Sequence, residues 1–281
     1  MDSKIAIKQK SFFEIKKDIN YLTAAYPFLN LKSLSTSTLG REIYSISFGK
    51  AKQYVYFLSS FCGNDSLINL ILLRFLEDLS ANIYSGNEIA GVNIRKAIGG
   101  KGVIFLPLIN PDGHEIAIKG FSSASYLYNI LNKNCDCEYK DYKYNLRGVY
   151  LENNFYKESL GRPYKNCFGG FSPFSEPETL GLAENLRKYP PRQIICLNQT
   201  KDYVGIFQPK DNSRTKKMAE VTMAVYPKKQ VIEENKNSFG SWVAKEFNAP
   251  TFNIGLSGLT EANLIKNYNQ LKELLVLMLI M

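Results

Sequence analysis

The amino-acid sequence predicts an α/β fold in which a mixed, largely parallel sheet is flanked by helices. Short apolar runs typical of buried strands alternate with longer segments whose apolar residues recur at helical spacing. The chain has 281 residues, of which 45% are hydrophobic, and this is enough for one sizeable core. Because no internal repeat or low-complexity linker divides it, we expect one domain over residues 1–281, with residues 1–33 as a helical lead-in.

The first half of the chain is predicted to contain two helices and three strands. The helices are expected over residues 12–26 and 67–83, and the strands over residues 42–48, 54–60 and 102–109. Pro27 ends the first helix, because the residue before a proline is biased away from helical geometry. Residues 110–113, Asn-Pro-Asp-Gly, are turn-forming types and predict a turn after the third strand.

The second half is predicted to contain three helices and two strands. The helices are expected over residues 176–188, 239–247 and 261–279, and the strands over residues 193–197 and 251–256. Pro177 suits the first turn of its helix, where no backbone N–H is needed. Residues 120–147 are polar and predict a loop.

Composition limits the partners and the compartment. The net charge of +9 comes from scattered lysines, and no basic patch is interleaved with stacking aromatics, so we expect no nucleic-acid partner. The apolar run at residues 271–281 is too short for a membrane span. No signal-peptide pattern opens the chain, so the default localisation is cytoplasmic, or secreted if a signal peptide was removed. The sequence leaves the oligomeric state open.

Cysteine and histidine counts limit the chemistry further. Five cysteines argue against a complete disulfide framework, and the Cys135-Asp136-Cys137 pair lacks the second pair that a zinc site needs, so we expect a plain loop there. His114 is the only histidine, which excludes a His-rich metal site. It follows the predicted turn, and we expect it to be exposed or to cap that turn.

Five segments, taken in order, resemble the zinc carboxypeptidase family. They are TLGREI at 38–43, FLPLINPDG at 105–113, GVYLENNF at 148–155, FSEPET at 174–179 and PTFNIGL at 250–256. The resemblance covers about residues 34–274, and it is greatest to bacterial γ-D-glutamyl-L-diamino acid endopeptidases, which act on cell-wall peptides. It implies a mixed eight-stranded sheet between helices and a site built for zinc hydrolysis.

The three positions that the resemblance assigns to zinc ligands carry other residues. Cys62 and Asp65 stand where the family has its His-x-x-Glu pair, and Asn198 stands where it has a second histidine. Thiolate and aspartate can bind Zn²⁺, but a neutral amide oxygen is a poor ligand. We therefore expect no bound metal and no cofactor, with zinc only if a non-standard site forms.

The position of the catalytic base is also changed. In the family a glutamate takes a proton from zinc-bound water and delivers it to the leaving amine. The resemblance places that glutamate at Gly255, which has no side chain with which to move a proton. We expect no catalytic residue at this position.

Substrate-binding positions are altered as well. The family's Asn-Arg pair, which holds a peptide's terminal carboxylate, becomes Glu152-Asn153, so the local charge is reversed. Glu152 would repel a carboxylate or meet a cationic group. Lys143 stands where the family has the basic residue that polarises the scissile carbonyl, with Arg147 as the nearby competitor. Tyr226 resembles the tyrosine of the family's mobile loop.

These substitutions predict a pseudoenzyme: a catalytically degenerate zinc-carboxypeptidase-like protein that binds a peptide or peptidoglycan fragment without hydrolysing it. Two alternatives stay open. One is an active metallocarboxypeptidase or cell-wall peptidase with a non-standard zinc site, so whether the chain is an enzyme is undecided. The other is a structural or protein-interaction module. The sequence does not identify the natural ligand.

Overall fold

A computed structural model describes residues 5–156, 161–165, 167–200, 202–207, 213–225, 230–231 and 238–281. The described helices are α1 (Phe12–Ala25), α2 (Ile68–Ser85), α3 (Ile94–Ala97), α4 (Pro111–Lys119), α5 (Tyr128–Asn134), α6 (Pro177–Lys188), α7 (Ser213–Val225), α8 (Phe239–Phe247) and α9 (Leu264–Ile280). The described strands are β1 (Asn30–Thr36), β2 (Glu42–Phe48), β3 (Tyr54–Ser59), β4 (Glu88–Ile89), β5 (Val92–Asn93), β6 (Gly102–Leu106), β7 (Pro191–Asn198), β8 (Tyr203–Phe207), β9 (Gln230–Val231) and β10 (Thr251–Gly255).

Eight of these strands form one mixed sheet in the order β1-β2-β6-β3-β7-β10-β8-β9. The four central strands, from β6 to β10, run parallel, while β1, β2 and β8 pair antiparallel with their inner neighbours. The predicted fold class, a mixed and largely parallel sheet flanked by helices, is confirmed. The carboxyl ends of β3, β7 and β10 meet at one edge, where open α/β sheets place their sites.

Alternating side chains along the central strands pack into two hydrophobic cores, one on each face of the sheet. Along β3, Val55 and Phe57 pack into the core that contains α1, α2 and α9, whereas Tyr56 and Leu58 pack into the core that contains α6 and α8. This period of two is the ordinary consequence of strand geometry. None of the described helices is long and apolar enough to cross a membrane.

The structure corrects several local predictions. The Asn-Pro-Asp-Gly segment is the start of α4 instead of an isolated turn, because Asn110 accepts the Gly113 N–H as an N-cap and Pro111 occupies the first helical turn. Residues 120–147 contain α5 and short 3₁₀ segments. Sequence patterns also missed β1, a polar edge strand whose residues are mostly exposed or half-buried.

The predictions for His114 and for the Cys135–Cys137 pair are wrong. His114 is fully buried, because it lies in α4 and its Nε2 contacts the Lys10 backbone oxygen at 2.8 Å. Burial lowers the pKa of His114 to about 4, so the ring is neutral. Cys135 and Cys137 are joined by a disulfide, where a plain loop was expected. The remaining cysteines, Cys62, Cys167 and Cys196, are free thiols.

Candidate functional site

The loop that follows β3 carries two of the three candidate ligand positions. Asp65 is fully buried, and its two carboxylate oxygens accept different backbone N–H groups. Oδ2 accepts from Cys62 at 3.2 Å, and Oδ1 accepts from Gln199 at 2.7 Å. Since Gln199 follows β7, this one carboxylate ties the ends of two neighbouring strands together.

Close backbone packing fixes the path of this loop. Gly63 donates its N–H to the Lys143 carbonyl at 3.3 Å, and a Cβ at Gly63 would lie 2.6 Å from the Gly113 oxygen and 2.7 Å from the Tyr142 oxygen. Only glycine fits between these carbonyl groups. The buried amide of Asn110 adds a second anchor, because it donates to the Phe61 carbonyl at 3.0 Å.

The third candidate ligand position lies at the end of β7, beside the candidate base position. Asn198 is buried, and its Oδ1 accepts from the Thr200 hydroxyl at 3.0 Å. Gly255, the last residue of β10, pairs with Asn198 on one side and with Tyr203 on the other. The structure thus places Cys62, Asp65, Asn198 and Gly255 on adjoining strand ends.

Burial disfavours charge on both acidic groups of this loop. The pKa of the Cys62 thiol is raised well above its ordinary value, by burial first and then by the Asp65 and Glu152 carboxylates. Burial also raises the pKa of Asp65 to about 6, although its two backbone hydrogen bonds and the Lys143 ammonium oppose that shift. The thiol is therefore protonated at neutral pH, and the carboxylate is close to taking up a proton.

Candidate metal donors are few in the neighbourhood. Within the part of the chain that the structure describes, no group of three or more His, Cys, Asp or Glu side chains is arranged to hold a metal ion. Asn198 adds a neutral amide oxygen that already accepts a hydrogen bond.

A cavity of about 270 Å³ opens next to these strand ends, on the side where α8 packs. Its polar lining includes Tyr150, Glu152, Asn153 and Asn253, and its aromatic lining includes Tyr203, Phe207 and Phe239. The Tyr150 hydroxyl donates to Glu152 Oε2 at 3.0 Å. Glu152 is also the main cause of a strongly raised pKa at Tyr150, so this hydroxyl stays protonated and remains a donor.

The predicted substrate-binding residues separate into different places. Glu152 and Asn153 both line the cavity, and Asn153 donates its amide to the Cys167 carbonyl at 2.9 Å. Lys143 is exposed, and its charge acts on Cys62 and Asp65. Arg147 instead reaches the start of α6, where it donates to the Ser175 carbonyl at 3.4 Å. Tyr226 lies outside the described residues.

Sequence reasoning missed three residues of this neighbourhood. Gln199 ties the loop to β7, while Tyr150 and Asn253 line the cavity. Strand alternation offered a signal for Asn253, since it stands two residues before Gly255 and therefore on the same face of β10. No local pattern marked Tyr150 or Gln199, because their roles depend on contacts between distant segments.

A second group of buried carboxyls lies where the first turns of α4 and α6 meet, and none of its members lines the cavity. Asp112, Glu176 and Glu178 are all almost completely buried. Asp112 pairs with Arg41, and Glu176 accepts from the Asn145 amide at 2.7 Å. These contacts join α4, the 145–149 turn and α6, and so they support the scaffold.

Comparisons with known proteins agree with the fold and with the family resemblance. The sequence profile of a family described as zinc carboxypeptidase matches residues 15–257. The chain is 23% identical over 268 residues to gamma-D-glutamyl-L-diamino acid endopeptidase 1 of Lysinibacillus sphaericus, covering 91% of this chain and 67% of that protein. It is also 23% identical over 207 residues to the uncharacterized protein YqgT of Bacillus subtilis, covering 68% of this chain. The chain spans only 55% of YqgT.

The crystal structure of thrombin activatable fibrinolysis inhibitor superposes on 99% of this chain and on 75% of its own, with a TM-score of 0.75. The two sequences are 15% identical over this superposition, so the likeness concerns the fold alone.

Proposed function

This chain belongs to the zinc carboxypeptidase family, and we propose that it is a catalytically degenerate member that binds a peptide or cell-wall fragment without hydrolysing it. The observation that carries the proposal is Gly255. It ends β10 beside Asn198, at the position that the family resemblance assigns to the catalytic glutamate. A residue with no side chain has no group that could take a proton from water and pass it to a leaving amine.

The residues at the family's metal positions fit zinc poorly. Zinc sites use thiolate, imidazole or carboxylate ligands, and structural sites hold four of them. Here the Cys62 thiol is kept protonated by burial, both Asp65 oxygens already accept backbone N–H groups, and Asn198 offers an uncharged amide. Binding would require deprotonation of Cys62 and rearrangement of the loop, both at a free-energy cost.

A peptide ligand is supported by the retained cavity and by one relative. The cavity beside the strand ends has room for an amino-acid side chain and carries both polar and aromatic groups. The Lysinibacillus sphaericus relative is, by its name, a gamma-D-glutamyl-L-diamino acid endopeptidase. Cell-wall peptides are therefore the first ligands to test on this chain.

One observation favours a second candidate, an active peptidase with a non-standard zinc site. Cys62 and Asp65 lie side by side, since the Cys62 N–H donates to the Asp65 carboxylate at 3.2 Å. With a third donor these two groups would give a partial metal site. We favour the catalytically degenerate protein because Gly255 has no side chain that could act as the base.

Two measurements on the purified full chain test the proposal. The first is turnover of cell-wall peptides and of C-terminal amino-acid substrates, with and without a chelator, together with metal content by mass spectrometry. We expect no turnover and less than stoichiometric zinc. Chelator-sensitive turnover with one zinc per chain would establish the active peptidase instead.

The second measurement is calorimetric titration with a cell-wall tripeptide, which separates a ligand-binding protein from a purely structural or interaction module. Saturable binding without turnover supports the proposal. Absence of binding to every peptide tested would favour the structural module.

A further inference from the structure

The Cys135-Asp136-Cys137 segment has no part in the function proposed above, yet its two cysteines are joined by a disulfide. The bond directly follows α5 and bridges residues only two positions apart. A disulfide that closes so short a loop removes little entropy from the unfolded chain, so it adds little to stability. Stabilisation of the fold is therefore a weak reason for this bond, and its reactivity is the property to consider.

An ion pair joins a second cysteine-bearing segment to this loop. Lys165 pairs with Asp136, the residue between the two bonded cysteines. Cys167 lies two positions beyond Lys165, and it is the one exposed free thiol among the described residues, because Cys62 and Cys196 are buried. The accessible thiol therefore belongs to the segment that contacts the disulfide loop.

The two segments also share one small core. Both bonded cysteines pack against a buried cluster that contains Tyr142 and Tyr164, with Tyr144 at its edge. The ring centroids of Tyr144 and Tyr164 lie 6.4 Å apart. The pKa of Tyr144 is raised by burial first and then by the Cys167 and Cys62 side chains. The free thiol and the disulfide thus both lie near the same tyrosine.

The backbone of Cys167 has an unusual conformation at the wall of the cavity. Its φ of +52° lies in the left-handed region, which is uncommon for a residue with a side chain. Backbone strain of this kind is concentrated at functional sites. The Cys167 carbonyl accepts from the Asn153 amide at 2.9 Å, and both residues line the cavity. A reaction of the Cys167 thiol would therefore alter the cavity wall.

We propose that Cys167 and the Cys135–Cys137 bond form a thiol–disulfide exchange site. The Cys167 thiolate attacks one sulfur of the bond and forms a new sulfur–sulfur bond with it, while the other cysteine leaves as a thiolate and takes up the proton that Cys167 lost. One disulfide and one thiol are present before and after the step, so it needs no external oxidant or reductant. The product ties the cavity wall to the end of α5. This exchange is independent of peptide binding.

Disulfide mapping of the purified, non-reduced full chain tests this proposal. Trypsin places Cys135 and Cys137 together in the peptide 134–140 and Cys167 in the peptide 166–187. The chain is incubated at about pH 8, free thiols are blocked with iodoacetamide at intervals, and the digest is analysed by mass spectrometry. We expect the two peptides to become cross-linked in about a tenth or more of the chains, with the freed cysteine alkylated. The cross-linked fraction should not change on dilution, because the exchange occurs within one chain.

Two variants and a matched control examine the residues involved. Cys167→Ser removes the attacking thiol, so the bond within the peptide 134–140 should persist at all times. Asp136→Asn keeps the shape of the side chain and removes the ion pair, and we expect it to slow cross-linking by about two- to five-fold, the range for an exposed ion pair. Asp141→Asn changes an exposed carboxylate outside this ion pair and should leave the rate unchanged.

Each outcome either supports the exchange site or overturns it. Cross-linking that is independent of dilution and absent from Cys167→Ser supports it. Alkylation confined to Cys167, with the original bond retained at every time, would overturn it, as would cross-linking that increases with protein concentration. Equal rates for Asp136→Asn and the unmodified chain would overturn the part assigned to the ion pair. None of these results bears on peptide binding, which the cell-wall tripeptide tests separately.

Discussion

Glu178 permits a quantitative test of the buried scaffold beside the site. Its side chain is fully buried in α6, and its Oε1 has no hydrogen-bond partner among the residues that the structure describes. Burial raises the pKa of Glu178 from an ordinary 4.5 to about 8, and the neighbouring Asp112 and Glu176 carboxyls act in the same direction. At neutral pH the folded protein therefore keeps this group protonated, whereas the unfolded chain does not.

The sign of the effect follows from proton uptake on folding. Below pH 4.5 Glu178 is protonated in both states and contributes nothing to the pH dependence. Between pH 4.5 and pH 8 the unfolded chain ionises while the folded protein keeps the proton, so the free energy of unfolding falls over this range, and above about pH 8 both states are ionised and no further loss occurs. Each pKa unit is worth about 1.4 kcal/mol. Between pH 5 and pH 8 Glu178 should therefore lower the free energy of unfolding by about 3 kcal/mol.

Glu178→Gln tests this magnitude, because glutamine has nearly the same shape as a protonated glutamate and does not titrate. Urea denaturation followed by circular dichroism at pH 5, 6, 7 and 8 measures the free energy of unfolding. We expect the variant to gain about 3 kcal/mol on the parent chain across that range. Glu184→Gln, on the exposed side of the same helix, should show no such divergence. A constant difference between parent and Glu178→Gln at all four values would refute the buried, protonated carboxyl.

Three further predictions concern the site. Gly63→Ala places a Cβ against two backbone carbonyls, so we expect a loss of about 1–3 kcal/mol in urea denaturation; an unchanged midpoint would contradict the packing. Asn110→Ala removes an N-cap and leaves the Phe61 carbonyl unpaired, so we expect a loss of about 3 kcal/mol, and a loss below about 1 kcal/mol would argue against the anchor. The triple variant Cys62→His, Asp65→Glu and Asn198→His restores the family's metal ligands and should raise zinc affinity, measured by competition with a chelating dye. Gly255→Glu alone restores only the base and should give no peptidase activity.

Local sequence patterns determined most of the sheet and helix order. The predicted strands β2, β3, β6, β7 and β10 and the helices α1, α2, α6, α8 and α9 all form within a few residues of the expected bounds. These elements carry their own signals, because strand alternation and helical periodicity arise from neighbours in the sequence. Elements with weak periodicity were missed, among them β1 and α5.

The same local patterns failed where a segment is compatible with two local structures. Asn-Pro-Asp-Gly residues form both turns and helix starts, and only the capping bond from Gly113 to Asn110 selects the helix. His114 was expected near solvent because it follows this segment. Its position inside α4 buries it completely.

By itself, the sequence determined which chemistry is present at each family position: a thiol, a carboxyl, an amide and a bare glycine. It did not determine how those groups are charged or what they contact, and only the tertiary structure decided this. Asp65 reaches Gln199 across 134 residues of sequence. The cavity that Glu152 lines is closed by Tyr203, Phe239 and Asn253, which come from later segments of the chain. Burial and hydrogen bonding set the protonation of such groups, and both depend on contacts between remote segments that a local pattern does not encode.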